Sequence, residues 1–115
     1  MSHNLKSQIF KLLIEMDYNN VKTWTTELEP LKSSNLNFRE EINFDNVKTV
    51  TVDIESENDM GIIIIYLDGH VFFDFMSKND PMMKSHNWSE NYIDFYDLKE
   101  KIEKALFLNW NKYQS

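Results

Sequence analysis

The feature that most constrains this chain is a two-residue alternation of apolar and polar side chains. It runs, broken by one short turn, from residue 36 to residue 57 and returns over 70–76. Over 36–44, Leu36, Phe38, Ile42 and Phe44 share one face, while Asn37, Arg39, Glu41 and Asn43 share the other. Over 47–57, Val50, Val52 and Ile54 point one way and Thr49, Thr51, Asp53, Glu55 and Glu57 the other. Successive side chains of a strand face opposite sides of a sheet, so this pattern predicts strands with one face in a core and one toward water. Asp45-Asn46 and Glu57-Asn58-Asp59 supply turns between them. A third strand, 60–67, contains Ile62–Leu67, which is apolar on both parities, as expected where both faces are covered. Asp68-Gly69 then reads as a type I′ hairpin turn, whose two central residues need positive φ. The return strand, 70–76, puts Val71, Phe73 and Phe75 on one side and His70, Phe72, Asp74 and Met76 on the other.

Helical periodicity flanks this region. Leu5, Ile9, Leu12, Leu13 and Met16 predict a helix over 3–18, and Phe95, Leu98, Ile102, Ala105 and Leu106 predict a second over about 92–110. Asn91 and Asp94 have the spacing of a helix cap, and Asp97–Lys101 are placed for an i, i+4 ion pair. The β-branched and aromatic stretch 21–28 reads as a short strand, and Ser77 to Ser89 reads as a loop. Together these predict an α+β fold. It is an antiparallel meander of four to five strands, with an N-terminal and a C-terminal helix packed on one face. Ile64, Phe73 and Ile102 are expected in its core. With 115 residues, 42% hydrophobic and 27% charged, the chain has enough apolar surface for one folded domain spanning 1–115 and not enough length for two.

Several kinds of chemistry lack residues to carry them. Cysteine is absent, which removes disulfides, thiolate metal sites and a cysteine nucleophile. No nucleotide-binding glycine motif, nucleophile elbow or HExxH is present. Of the three histidines, His86 has Ser77, Ser85 and Ser89 nearby in sequence, but nothing fixes a Ser–His–Asp arrangement. His70 and Asp74 share strand parity and read as a hydrogen-bonded or solvated pair. Asp53, Glu55, Glu57 and Asp59 could offer oxygen to Ca²⁺ or Mg²⁺. However, carboxylates two apart on a strand splay by about 7 Å, so a solvated face accounts for them better than a metal site. Neither a catalytic residue, a metal nor a cofactor is expected. Residues 1–17 lack the profile of a secretory signal, which makes the cytoplasm the expected compartment.

Charge is more informative. The net charge is −7, and nine of the nineteen acids fall between Glu40 and Asp74 against a single base, Lys48. A surface of that sign, in a chain with one arginine, suits neither nucleic acid nor anionic membrane. It suits a basic protein. Trp88, Tyr96, Phe107, Trp110 and Tyr113 add aromatics beyond the helix stripe, the residue types favoured at interfaces. The expected partner-binding residues are Glu41, Asp53, Glu55, Glu57, Asp59 and Trp110. By class-level analogy, the expected role is that of a bacterial immunity protein that neutralises a basic, nuclease-type toxin domain by occlusion. The alternatives are a small structural or regulatory interaction domain, including a homodimer through an edge strand, and a small-molecule-binding enzyme.

Overall fold

A computed structural model describes residues 18–42, 44–82 and 84–110. Its elements run α1 (Tyr18–Thr26), a 3-10 turn (Glu29–Leu31), β1 (Asn35–Ile42), β2 (Lys48–Glu55), β3 (Asp59–Tyr66), β4 (His70–Ser77), β5 (Ser85–Asn91) and α2 (Phe95–Asn109). The strands form one five-stranded sheet in the order β1-β2-β3-β4-β5. Every neighbouring pair is antiparallel and in continuous one-to-one register. This is the α+β meander that the alternation and the short turns require.

One face of the sheet carries the core. Val50, Val52, Ile54, Ile63, Ile65, Val71, Phe73 and Phe75 are buried and cluster with Leu98, Ile102, Ala105 and Leu106 of α2 and Val21 and Trp24 of α1. Both described helices therefore pack on this inner face, and the rings of Trp24 and Phe95 meet edge to face at 5.8 Å. The row Leu36–Ile54–Gly61–Phe75–His86 shows why a glycine stands in β3. A Cβ at position 61 would lie 2.7 Å from the Phe75 ring. At the start of α2, Asp94 Oδ1 accepts from the Asp97 N–H at 2.8 Å, and Asp97 Oδ2 accepts from the Ile93 N–H at 3.0 Å. The Ile93 N–H, followed by Lys101, holds the Asp97 carboxyl below its ordinary range.

Several expectations need correction. Residues 21–28 are not a strand: through Thr26 they belong to α1. Val21, Trp24, Thr25 and Leu28 are buried at helical spacing. The β-branched threonines fit because Thr25 and Thr26 return their hydroxyls to the carbonyls of Val21 and Thr23, at 2.6 and 2.8 Å. The fifth strand comes instead from Ser85–Asn91, which begins inside the stretch read as a loop and runs two residues past it. The hairpin after β3 is not type I′. Gly69 N–H donates to Tyr66 O at 3.1 Å, and Tyr66 stands opposite His70, so the loop is the three residues Leu67-Asp68-Gly69. Only Gly69, at φ 120°, has the positive φ. Tyr92 closes this corner, its hydroxyl donating to Tyr66 O at 2.6 Å. Burial, and then the charge of Asp68, raise its pKa.

Ile64 is not a core residue; Ile63 and Ile65 take that role, because the outward parity of β3 is even-numbered. Ile42 and Phe44 share the parity of Leu36 and Phe38 but are exposed. The cap of α2 is Asp94 with Asp97, not Asn91 with Asp94. The helix expected over 3–18 lies outside the described residues except for Tyr18.

Candidate protein-binding face

The pairing registers assign the outer face of the sheet residue by residue. Crossing from β1 to β5, one row is Asn37–Asp53–Ile62–Asp74–Asn87, the next Arg39–Thr51–Ile64–Phe72–Ser89, and the next Glu41–Thr49–Tyr66–His70–Asn91. A fourth row, at the other end, is Asn35–Glu55–Met60–Met76–Ser85. The middle of this face is apolar: Ile62, Ile64, Phe72, Met60 and Met76 are half-buried by their neighbours in the sheet, and none belongs to the core cluster. Around them stand Glu41, Asp53, Glu55 and Asp74. Arg39 is the one lysine or arginine among the outward-facing strand residues.

Internal pairing holds much of this charge. Arg39 donates to both carboxylate oxygens of Asp53, at 3.1 and 3.3 Å, and to Glu41 at 3.4 Å. Lys78 reaches Glu55 at 3.0 Å. Asp74 differs. Its Oδ1 is buried and accepts no hydrogen bond from the protein. It borders a depression of ≈ 180 Å³ shared with Asp53, Met60, Ile62 and Met76. A second depression of ≈ 300 Å³ continues past Asp53 to Glu55, Asn35 and Asn37. The two carboxylates flank Ile62 directly in one row, so a trough with acidic walls and an apolar floor crosses the face.

The structure brings Glu41, Asp53 and Glu55 together on this face, as their common parity required. Glu57 is exposed in the β2–β3 turn beside it. Asp59 and Trp110 lie elsewhere. Asp59 is 3% exposed and has the inward parity of β3. Trp110 is 4% exposed, packs 6.0 Å from Phe75 and donates its indole N–H to Ser34 Oγ at 3.2 Å. Neither presents its side chain to a partner on the outer face. Because Asp59 turns away from Asp53 and Glu55, the four carboxylates considered as metal ligands do not converge. Among the described residues no group of three or more His, Asp or Glu does. His70 pairs with Asp68 at 2.9 Å rather than with Asp74, and stacks on Tyr66 at 4.2 Å. His86 stands 4.9 Å from the Trp88 ring on the inner face.

Sequence reasoning missed Asp74 and the apolar floor. A signal for the floor was present. Ile62–Leu67 is apolar on both parities, yet only the inner parity is covered by described elements. Among the described residues no helix is long and apolar enough to cross a membrane. Comparison with protein families, curated proteins and solved structures finds no match.

Proposed function

We propose that this chain is a protein-binding inhibitor whose outer sheet face docks a basic partner, in the manner of a bacterial immunity protein acting in the cytoplasm. The observation that carries this reading is the trough between Asp53 and Asp74. A carboxylate oxygen buried without a donor is costly, and a lysine or arginine brought by a partner into the trough would offset that cost by a charge-assisted bond to the Asp74 carboxylate. Ile62, Ile64 and Phe72 supply the apolar contact that a stable interface needs at its centre, and Glu41, Glu55 and Glu57 supply a polar rim. An enzyme that grips phosphates does so with clustered Lys and Arg. Covering those groups with this face blocks substrate and neutralises the cleft in one step.

The test is co-expression with a toxin-type protein, should one be encoded beside this gene. The parent chain should protect the host cell, and Asp53→Ser with Asp74→Asn should abolish protection while leaving the folded protein at normal level. Full protection by that variant would reject the face. A structural or regulatory domain could use the same face, and is favoured if the partner recovered is not toxic when expressed alone.

A further inference from the structure

The two edges of the sheet differ. β1 is blunted by Arg39, Glu40 and Glu41, each held in an ion pair: Arg39 with Asp53, Glu40 with Lys48 and Glu41 with Arg39. β5 has neither proline nor lysine and pairs with β4 without a bulge. It therefore lacks proline, lysine and a bulge as protection against adding another strand, and its one charge, Glu90, is engaged by the Trp88 indole N–H at 3.0 Å. Among the described residues no strand pairs with its outer side. The Tyr92 N–H donates to Gly69 O at 2.8 Å, which sets the phase of the strand. Backbone groups of 86, 88 and 90 turn toward β4, and those of Ser85, Asn87, Ser89 and Asn91 turn outward. The Asn91 carbonyl accordingly accepts from Lys101 on α2.

The residues on that edge complement themselves. The sequence of β5 is Ser85-His86-Asn87-Trp88-Ser89-Glu90-Asn91. Antiparallel pairing with a second copy about a two-fold axis at Trp88 sets His86 opposite Glu90, Asn87 opposite Ser89, Ser85 opposite Asn91 and Trp88 opposite itself. The phase above makes Trp88 a non-hydrogen-bonded pair, the kind in which facing side chains come closest. The hydrogen bonds are then made by Asn87 and Ser89, whose outward groups are available. Alongside, on the inner face, a groove of ≈ 390 Å³ runs between β5 and α2, lined by Trp88, Ala105, Leu108 and Lys104 among others. Leu108 is 54% exposed there. A strand added to β5 would bring a second Trp88 beside this groove, where Leu108 is open.

We propose that the chain forms a two-fold dimer by antiparallel addition of β5 to β5 of a second copy, centred on Trp88, giving one continuous ten-stranded sheet. A two-fold axis perpendicular to a sheet keeps its faces. Both outer faces, with their Asp53–Asp74 troughs, therefore lie on the same side of the dimer. The dimer does not depend on what those faces bind.

Sedimentation equilibrium and oxidative cross-linking test this. The parent should sediment at twice the monomer mass at high concentration. Asn87→Pro removes an outward N–H and should weaken association about tenfold or more. Glu90→Lys sets a cation opposite His86 and should weaken it as well, and His86→Glu added to Glu90→Lys should restore it. Should Asn87→Pro fail to fold, the charge exchange and the cross-link decide. The chain has no cysteine of its own. Asn87→Cys with Ser89→Cys should therefore oxidise to a covalent dimer, because facing positions lie within disulfide reach while neighbours two apart on one strand do not. A parent that stays monomeric at all concentrations would overturn the proposal. So would a dimer indifferent to Asn87→Pro, a charge exchange that restores nothing, or a cysteine variant that oxidises without forming dimer.

Discussion

The two faces of this sheet are built from the same strands and both carry isoleucine and phenylalanine, yet only one of them is sealed. On the inner face Ile63, Ile65, Phe73 and Phe75 are sealed by Leu98, Ile102 and Leu106 of α2 and by Val21 and Trp24 of α1. On the outer face Ile62, Ile64 and Phe72 repeat the same chemistry one residue out of phase, and remain half-open among Asp53, Asp74, Glu41 and Arg39. Apolar side chains that are sealed supply folding free energy. Apolar side chains left half-open among carboxylates are, under the proposed function, a surface for association. The contrast separates the residues that make the fold from those that would use it.

Truncation should split the faces most sharply. Phe73→Ala should cost about 3–5 kcal/mol and Ile63→Ala about 2–5 kcal/mol, each leaving a cavity in a sealed layer. Ile64→Ala, the next residue in β3, should cost only about 1 kcal/mol, since its side chain is not enclosed. Urea unfolding midpoints report all three. Equal losses at 63 and 64 would mean that the outer face is as closed as the inner one. Gly61→Ala should lie between these values, at about 1–3 kcal/mol, because the new methyl pushes on the Phe75 ring from inside the core.

Carboxylates offer a finer comparison. Asp97 works for the fold, accepting from the Ile93 N–H and from Lys101. Its pKa is lowered in the folded chain, so its stabilising contribution is complete above the unfolded carboxylate pKa and is lost as pH falls through the lower folded value. Asp97→Asn should therefore reduce stability at neutral pH and remove part of its decline in acid, as thermal melts across that range would record. The outer-face acids should behave otherwise. Replacing Glu41, Asp53 and Glu55 together by Ser should shift stability by only about 0.5 kcal/mol, because their ion pairs are solvent-exposed. A loss as large as that of Ile63→Ala would make them structural. The smallest change to the fold should come from Arg39→Gln. It removes the one outward-facing lysine or arginine of the strands, and should speed association with a basic partner in stopped-flow measurements.

How much of this was legible in the residues follows from where each lies. β1, β2 and β4 announce themselves because one of their faces meets a core and the other does not, which writes a two-residue period into the chain. β3 announces itself by its unbroken apolar run between two turns. β5 is an edge strand whose inward set is His86, Trp88 and Glu90, too polar for that period to show. α1 was hidden by composition. Its valine and threonines favour strands, but Val21, Trp24, Thr25 and Leu28 are held at helical spacing by tertiary packing. Glu41, Asp53 and Glu55 could be grouped from parity alone. Asp59 and Trp110 could not be excluded in that way, since burial at the end of a sheet depends on what the chain ends bring against it. Asp74 gained its importance only through register, which sets it across Ile62 from Asp53.

Under the proposed function the outer face acts through its charge. The direct measurement is the rate of association against ionic strength, using the protein that this chain recovers from its native host. It compares the parent with the variant carrying Ser at 41, 53 and 55. The parent's rate should fall steeply as salt rises and the variant's should start lower and fall less, because screening removes an attraction the variant has already lost. Parallel salt dependences, with equal rates at low salt, would contradict the claim that this face steers its partner.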